Sequence, residues 1–244
     1  MRKMPNAIIL CGGAGSRLRS ITGDAPKAMA LIGRRPFLEL LLSQLARGSI
    51  RRVILAVGFR KEAIMSHFGD HHSGLKLVYS VESSPLGTGG ALRNAAELLD
   101  SEVALVLNGD SYIDADLNQL MKDHHDNEAD VTVLLTRDES RNDCGSVRFD
   151  ENGRITNFQE KISSPEPSYV NAGVYLISRT LLFGIPVGNP VSIERELFPQ
   201  WLRDKKLVRA ALSPGACVDI GTPERYLLAQ TALAHAETSK CGPD

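Results

Sequence analysis

The stretch Gly12-Gly13-Ala14-Gly15-Ser16-Arg17-Leu18-Arg19 directly follows a short apolar run. Glycines let backbone amides approach phosphate oxygens without a side-chain clash. Arg17 adds a fixed guanidinium fork suited to phosphate, and Pro26-Lys27 brings a second cation. The dinucleotide fingerprint GxGxxG would need glycine at position 18, where Leu18 stands, and the P-loop pattern is absent. A glycine-rich turn alone also suits a neutral loop. Its combination with Arg17 and Lys27 favours a polyphosphate ligand. Asp110 ends an apolar run and could cap a loop or hold Mg²⁺, which takes carboxylate and phosphate oxygens. Asp219 could cap the helix that follows Thr222-Pro223. Thr222 is the better N-cap, however, with Pro223 at the first helical position.

These residues need elements to hold them. Ala7–Cys11, Val53–Val57 and Val103–Leu107 are short apolar runs, as expected of strands buried on both faces. A helix opening at Pro36 carries Phe37, Leu38, Leu41, Leu42 and Leu45 on one side and ends near Gly48. Glu62–Phe68 and Thr88–Leu99 read as helices, and Leu75–Val81 as a strand. Strands alternating with helices predict a parallel sheet covered on both faces, with ligands beyond the carboxyl ends of the strands. The Gly12 loop and Asp110 stand at two such ends.

The second half is richer in strands, at Val131–Thr136, Ser146–Phe149, Arg154–Gln159 and Tyr169–Ile177, with Asn152-Gly153 as a hairpin turn. Ser192–Leu202 and Pro223–Ala234 read as helices, and the tail from Glu237 as frayed. No Pro/Gly/Ser-rich linker divides the chain, which predicts one domain over residues 1–244.

Twenty-eight Lys and Arg against 29 Asp and Glu leave a formal net charge of -1, so no nucleic acid or anionic membrane is expected as partner. Cys11, Cys144, Cys217 and Cys241 are scattered, without metal-ligand spacing, and suit a reducing compartment. The run at Ala7–Cys11 is too short for a signal-peptide core or a membrane span, and the protein reads as cytoplasmic. His71-His72 and His124-His125 lie in polar stretches beside Asp70 and Asp126 and read as solvated rather than as metal ligands.

Gly12–Leu18 with Pro26-Lys27 resembles the signature of the sugar-1-phosphate nucleotidyltransferases. Further segments match in the family's order: Pro85–Leu92, Asn108-Gly109-Asp110, Glu160-Lys161 with Asn171–Tyr175, and Asp219–Pro223. Ser16 stands where Thr is usual and keeps the hydroxyl. Cys11 replaces Ala, and Cys144 precedes Gly145 where an aromatic is common. The resemblance implies a Rossmann-like α/β fold of the GT-A type, with a mixed, mostly parallel sheet flanked by helices. It implies Mg²⁺ held by Asp110 and Asp219, and Arg17, Lys27 and Asp110 as the catalytic groups. Leu10, Gly12, Gly13, Gly15, Ser16, Arg17, Lys27, Glu82, Gly87, Thr88 and Asn108 would bind the nucleotide. Gly145, Glu160, Lys161 and Asn171 would bind the sugar phosphate. Within the family, Pro26–Ala30, Arg35–Glu39 and Gly87–Ala91 are similar to guanylyltransferases acting on a heptose 1-phosphate, which implies GTP as donor. Thymidylyl, cytidylyl or uridylyl transfer to a hexose 1-phosphate, or a guanylyltransferase acting on mannose 1-phosphate, is the alternative. A non-catalytic sensor is disfavoured, because Arg17, Lys27, Asp110, Lys161 and Asp219 are all present. Oligomeric state stays open, a homo-oligomer included.

Overall fold

The computed structural model describes residues 4–137, 146–159 and 169–238. Its first half contains β1 (Asn6–Leu10), α1 (Arg19–Thr22), β2 (Leu31–Ile32), β3 (Arg35–Pro36), α2 (Phe37–Arg47), β4 (Arg52–Val57), α3 (Lys61–Phe68), β5 (His71–His72), β6 (Leu75–Val81), α4 (Gly87–Ala96), β7 (Val103–Asn108), β8 (Ser111–Ile113) and α5 (Leu117–Asp126). The second half adds β9 (Val131–Arg137), β10 (Ser146–Phe149), β11 (Ile155–Gln159), β12 (Tyr169–Ser178), α6 (Arg179–Phe183), α7 (Phe198–Arg203), β13 (Val208–Ser213), β14 (Cys217–Asp219) and α8 (Pro223–Thr238).

The main sheet runs β11-β10-β12-β7-β1-β4-β6-β5, with β9 on β12 and β13 on β9. β7, β1, β4 and β6 are mutually parallel, whereas β12 enters antiparallel to β7. The architecture is the mixed, mostly parallel α/β sheet expected from the sequence.

Alternate side chains of the central strands supply two separate cores, which is why these strands are apolar at every position. Ala7 and Ile9, Val53, Leu55 and Val57, and Leu105 and Leu107 pack on one face, beneath α2, α3, α5 and α8. Ile8, Ile54 and Ala56, and Ala104 and Val106 pack on the other, beneath α4, α6 and α7. A small antiparallel ladder of β8 and β14 places Asp219 opposite Ser111, and the Ile220 N–H donates to the Asp110 carbonyl at 3.0 Å.

Several expected boundaries shift. The helix expected over Ser192–Leu202 is a π-helical turn at Ile193–Leu197 followed by α7. α8 continues to Thr238, so the first residues of the expected frayed tail are helical. His124 is buried at 5% exposure, its Nδ1 2.8 Å from Thr132 Oγ1, and is not solvated as expected. Leu117, Leu120 and His124 lie on the same side of α5 and turn toward the core.

Candidate active site

The carboxyl ends of β1, β4, β6 and β7 open into one cleft of about 810 Å³. Gly12–Gly15 follow β1, Gly58 and Phe59 follow β4, Glu82–Pro85 and Gly87 follow β6, and Gly109-Asp110 follow β7; all line it. The loops hold one another. The Gly109 N–H donates to the Leu10 carbonyl at 2.9 Å, and the Phe59 N–H to the Gly12 carbonyl at 3.0 Å.

The glycine loop is built for close approach. Gly15 sits at φ +58, and a Cβ there would lie 2.7 Å from the Lys27 side chain. Lys27 thus passes directly against the loop, and its Nζ donates to Asp110 Oδ2 at 2.6 Å. Only 13% of the Lys27 side chain is exposed, so this is a partly desolvated charge pair. Ser111 Oγ donates to the other Asp110 oxygen at 3.1 Å.

On the opposite wall, Glu82 receives the Leu86 N–H on Oε2 at 3.1 Å. Its Oε1 would lie 2.6 Å from a Cβ on Gly12, so only a bare backbone fits beside it. Partial burial raises the Glu82 pKa above the ordinary glutamate value. The turn after it is clamped by a distant segment: the Val191 N–H donates to the Leu86 carbonyl at 2.9 Å, and the Gly89 N–H to the Val191 carbonyl at 2.8 Å. Gly87 takes φ +66, with the Val191 carbonyl oxygen 2.6 Å from where a Cβ would be.

Leu10, Gly12, Gly13, Gly15, Lys27, Glu82, Gly87, Thr88, Asn108 and Asp110 are brought together along one cleft. Ser16 and Arg17 are exposed on the 3₁₀ turn Ser16–Leu18 and do not line it. Asn171 also stays off the wall: its Nδ2 donates to the Tyr175 hydroxyl at 2.7 Å, and its Oδ1 accepts the Gly173 N–H at 2.9 Å. Gly145, Glu160 and Lys161 lie outside the described residues.

Asp219 does not line the cleft. Its Oδ1 accepts the Gly221 N–H at 2.8 Å, and Arg225 Nη1 stands 3.2 Å from both carboxylate oxygens. Among the described residues no three His, Cys, Asp or Glu side chains cluster as a metal site. Mg²⁺ bound with a nucleotide needs only one or two carboxylates, the rest coming from phosphate and water. Asp110 and Asp219 are hard oxygen donors joined through the β8–β14 ladder, and each already faces a positive charge. The donor set fits that ion.

Sequence reasoning missed Glu194, which lines the cleft from the π-helical turn. It accepts from the Tyr175 hydroxyl at 3.2 Å and from Thr88 Oγ1 at 3.4 Å. It also missed Phe59 and Arg225.

The cleft stands at the carboxyl ends of the parallel strands of an α/β sheet, and its glycine loop matches neither a P-loop nor a dinucleotide fingerprint. The model of the Nucleotidyl transferase family matches residues 6–236, and the chain belongs to that family. It is 40% identical over 224 residues to mannose-1-phosphate guanylyltransferase of Mycobacterium tuberculosis, covering 91% of this chain and 62% of that one. The chain thus spans less than two thirds of that relative. It is 37% identical over 220 residues to D-glycero-alpha-D-manno-heptose 1-phosphate guanylyltransferase of Campylobacter jejuni, covering 90% of this chain and 96% of the relative. The crystal structure of HddC from Yersinia pseudotuberculosis superposes with a TM-score of 0.83 at 28% identity, covering 94% of this chain and 100% of that one. That protein has also been crystallised with GMP-PN.

Proposed function

We propose that this protein transfers a guanylyl group from GTP to D-glycero-α-D-manno-heptose 1-phosphate, releasing pyrophosphate, with Mg²⁺ as cofactor. The observation that carries the reading is the convergence of the Gly12 loop, the Lys27–Asp110 pair and Glu82 in one cleft. An oxygen of the sugar phosphate attacks the α-phosphorus, and the bond from that phosphorus to the bridging oxygen of the β-phosphate breaks. The electron pair leaves on pyrophosphate. The attacking phosphate is already ionised, so no general base is needed. Catalysis falls to positioning and charge stabilisation. Lys27 serves the phosphates of the nucleotide from inside the cleft, with Arg17 as a second cation; Lys161 serves the phosphate of the sugar and Glu160 its hydroxyls. Asp110 and Asp219 would hold Mg²⁺, which when bound offsets the charge of the phosphates.

Guanine as the base is supported by Glu82. An ionised carboxylate only accepts hydrogen bonds, and guanine presents a ring N–H beside its amino group. Thymine and uracil offer one ring N–H there, and cytosine offers a ring acceptor. The names of the Campylobacter and Mycobacterium relatives support the same base. The Mycobacterium relative also gives mannose 1-phosphate a claim as the acceptor. We place the enzyme in the cytoplasm, as one catalytic domain serving surface-polysaccharide synthesis. No helix among the described residues is long and apolar enough to cross a membrane.

The test is a matrix of GTP, dTTP, CTP and UTP against heptose, mannose and glucose 1-phosphates, read as pyrophosphate release. GTP with the heptose 1-phosphate should give the highest kcat/KM, with mannose 1-phosphate as the best wrong acceptor. A preference for a pyrimidine nucleotide removes the guanylyl assignment. No release with any pair, from folded protein with Mg²⁺, removes the enzyme reading.

A further inference from the structure

Asp219 is bound to a partner that the proposed reaction leaves without a role. Arg225 Nη1 bridges both carboxylate oxygens at 3.2 Å, and only 10% of the Asp219 side chain and 23% of that of Arg225 are exposed. The pair is built into the chain. Gly221 sits between the two groups, where a Cβ would lie 2.7 Å from Asp219 Oδ1 and 3.5 Å from Arg225 Nη1. Arg225 also breaks a local rule. It stands in the first turn of α8, where the helix dipole favours an anion and disfavours a cation. Thr222 Oγ1 already accepts the Arg225 N–H, at 3.4 Å, so the guanidinium is not needed to cap the helix.

Asp110 has the matching arrangement with Lys27. Taken as pairs among the described residues, Asp110 with Lys27 and Asp219 with Arg225 each carry no net charge. A bare divalent cation entering this set adds two uncompensated positive charges. Magnesium arriving on a triphosphate brings its own anion, which offsets its charge and gives Lys27 and Arg225 new oxygen partners.

We propose that Arg225 is a positioning residue that holds Asp219 against bare divalent metal and releases it to the metal–nucleotide complex. The inference rests on the reading of Asp110 and Asp219 as the magnesium carboxylates. Arg225 thereby sets the order of loading: metal enters with the nucleotide and not ahead of it.

The test is direct binding of Mn²⁺ as a magnesium surrogate, with free Mn²⁺ counted by electron paramagnetic resonance on the full chain. Without nucleotide, Arg225→Met should bind Mn²⁺ about tenfold more tightly than the parent, the size of one charge-assisted contact removed from competition. Arg225→Lys, which keeps the charge, should stay close to the parent. Asp219→Asn in the Arg225→Met background should erase the gain. Circular dichroism and thermal unfolding verify that each variant is folded, and the Lys variant gives a comparison if the Met variant is destabilised. Unchanged Mn²⁺ affinity in folded Arg225→Met overturns the proposal, as does a gain that survives Asp219→Asn or an equal gain in Arg225→Lys, which keeps the charge. A separate arm tests the underlying reading: with GTP present, Asp219→Asn alone should lose Mn²⁺ retention. If it retains Mn²⁺ like the parent, the magnesium assignment fails and takes this inference with it. If it loses Mn²⁺ while Arg225→Met changes nothing, only this inference fails.

Discussion

Glu82→Gln tests the base assignment at a single atom. In the structure Oε2 is committed to the Leu86 N–H, and Oε1 stands beside the Gly12 backbone at the cleft wall. A glutamine must keep its carbonyl oxygen on the Leu86 N–H, since the amino group cannot accept. Its NH₂ therefore replaces Oε1, and an acceptor becomes a donor facing the donor edge of guanine. A hydrogen bond to a charged partner contributes about 1.5–3 kcal/mol. At about 1.4 kcal/mol per tenfold, kcat/KM for GTP should fall by about 10- to 150-fold.

Inosine triphosphate sharpens the test, because it lacks only the amino group of guanine. The parent enzyme should prefer GTP to ITP by about tenfold or more, and in Glu82→Gln that ratio should collapse toward unity. Steady-state pyrophosphate release with both nucleotides in both proteins closes the cycle. The parent's kcat/KM for GTP should also decline at low pH, as Glu82 takes a proton. That acid limb should lie above the ordinary glutamate range and be absent from the variant. A GTP/ITP ratio that survives the substitution, even with slower turnover, refutes Glu82 as the reader of guanine.

Asp110→Asn should abolish pyrophosphate release while circular dichroism and thermal unfolding stay near those of the parent; near-normal turnover by the folded variant would remove its metal role. Gly87→Ala forces a Cβ to 2.6 Å from the Val191 carbonyl at φ +66. It should raise KM for GTP more than KM for the sugar phosphate and lower the melting temperature, the strained backbone alone costing about 1–2 kcal/mol; unchanged GTP binding contradicts the clamp. His124 is held neutral by burial, its pKa lowered from 6.5 to about 4. The unfolded chain therefore takes the proton first as pH falls, and stability drops between pH 6.5 and 4 by up to roughly 3 kcal/mol; chemical denaturation of His124→Gln across that range should show a shallower loss than the parent.

The central strands and the phosphate loop were legible because their signals are local. β1, β4 and β7 bury both faces, so each reads as a continuous apolar run, and the glycines follow directly where β1 ends. β8 and β14 gave no such signal. They are only three residues each, and they form because they pair with each other across a separation of some hundred residues. α5 carried a usable signal in the helical spacing of Leu117, Leu120 and His124, masked by the polar residues between them and by reading histidine as a surface residue. Glu194 was harder. Ser192-Ile-Glu-Arg-Glu offers two carboxylates, and the sequence does not say which one faces the cleft. The widened π-helical turn, closed by the Leu197 N–H donating to the Ser192 carbonyl five residues back, accompanies Glu194 on the cleft wall while Glu196 accepts the Ser192 N–H in an exposed position.

Of Gly145, Glu160, Lys161 and Asn171, the residues expected at the sugar phosphate, only Asn171 lies among the described residues, and its partners limit what it can do. One Asn171 N–H is committed to the Tyr175 hydroxyl and its carbonyl oxygen to the Gly173 N–H. Tyr175 is fully buried, and burial beside Glu194 raises its pKa well above the usual phenol value, so its proton stays in place and points to Glu194. The Asn108 amide reaches the same phenolic oxygen. One hydroxyl therefore ties together the strand end that leads into Asp110, the candidate sugar residue Asn171, and the carboxylate that touches Thr88 at the base turn. Asn171 acts mainly as part of this scaffold, with one N–H and one lone pair left over for a sugar. Such a network gives Asn171 and Tyr175 a structural task beside the cleft, whatever contact Asn171 makes with a ligand. The strand's asparagine and tyrosine are polar because they fix neighbouring elements at the cleft, and a buried polar network of this kind costs stability unless each member is satisfied. Here the Asn108 Oδ1 atom alone among these groups is buried without a protein partner.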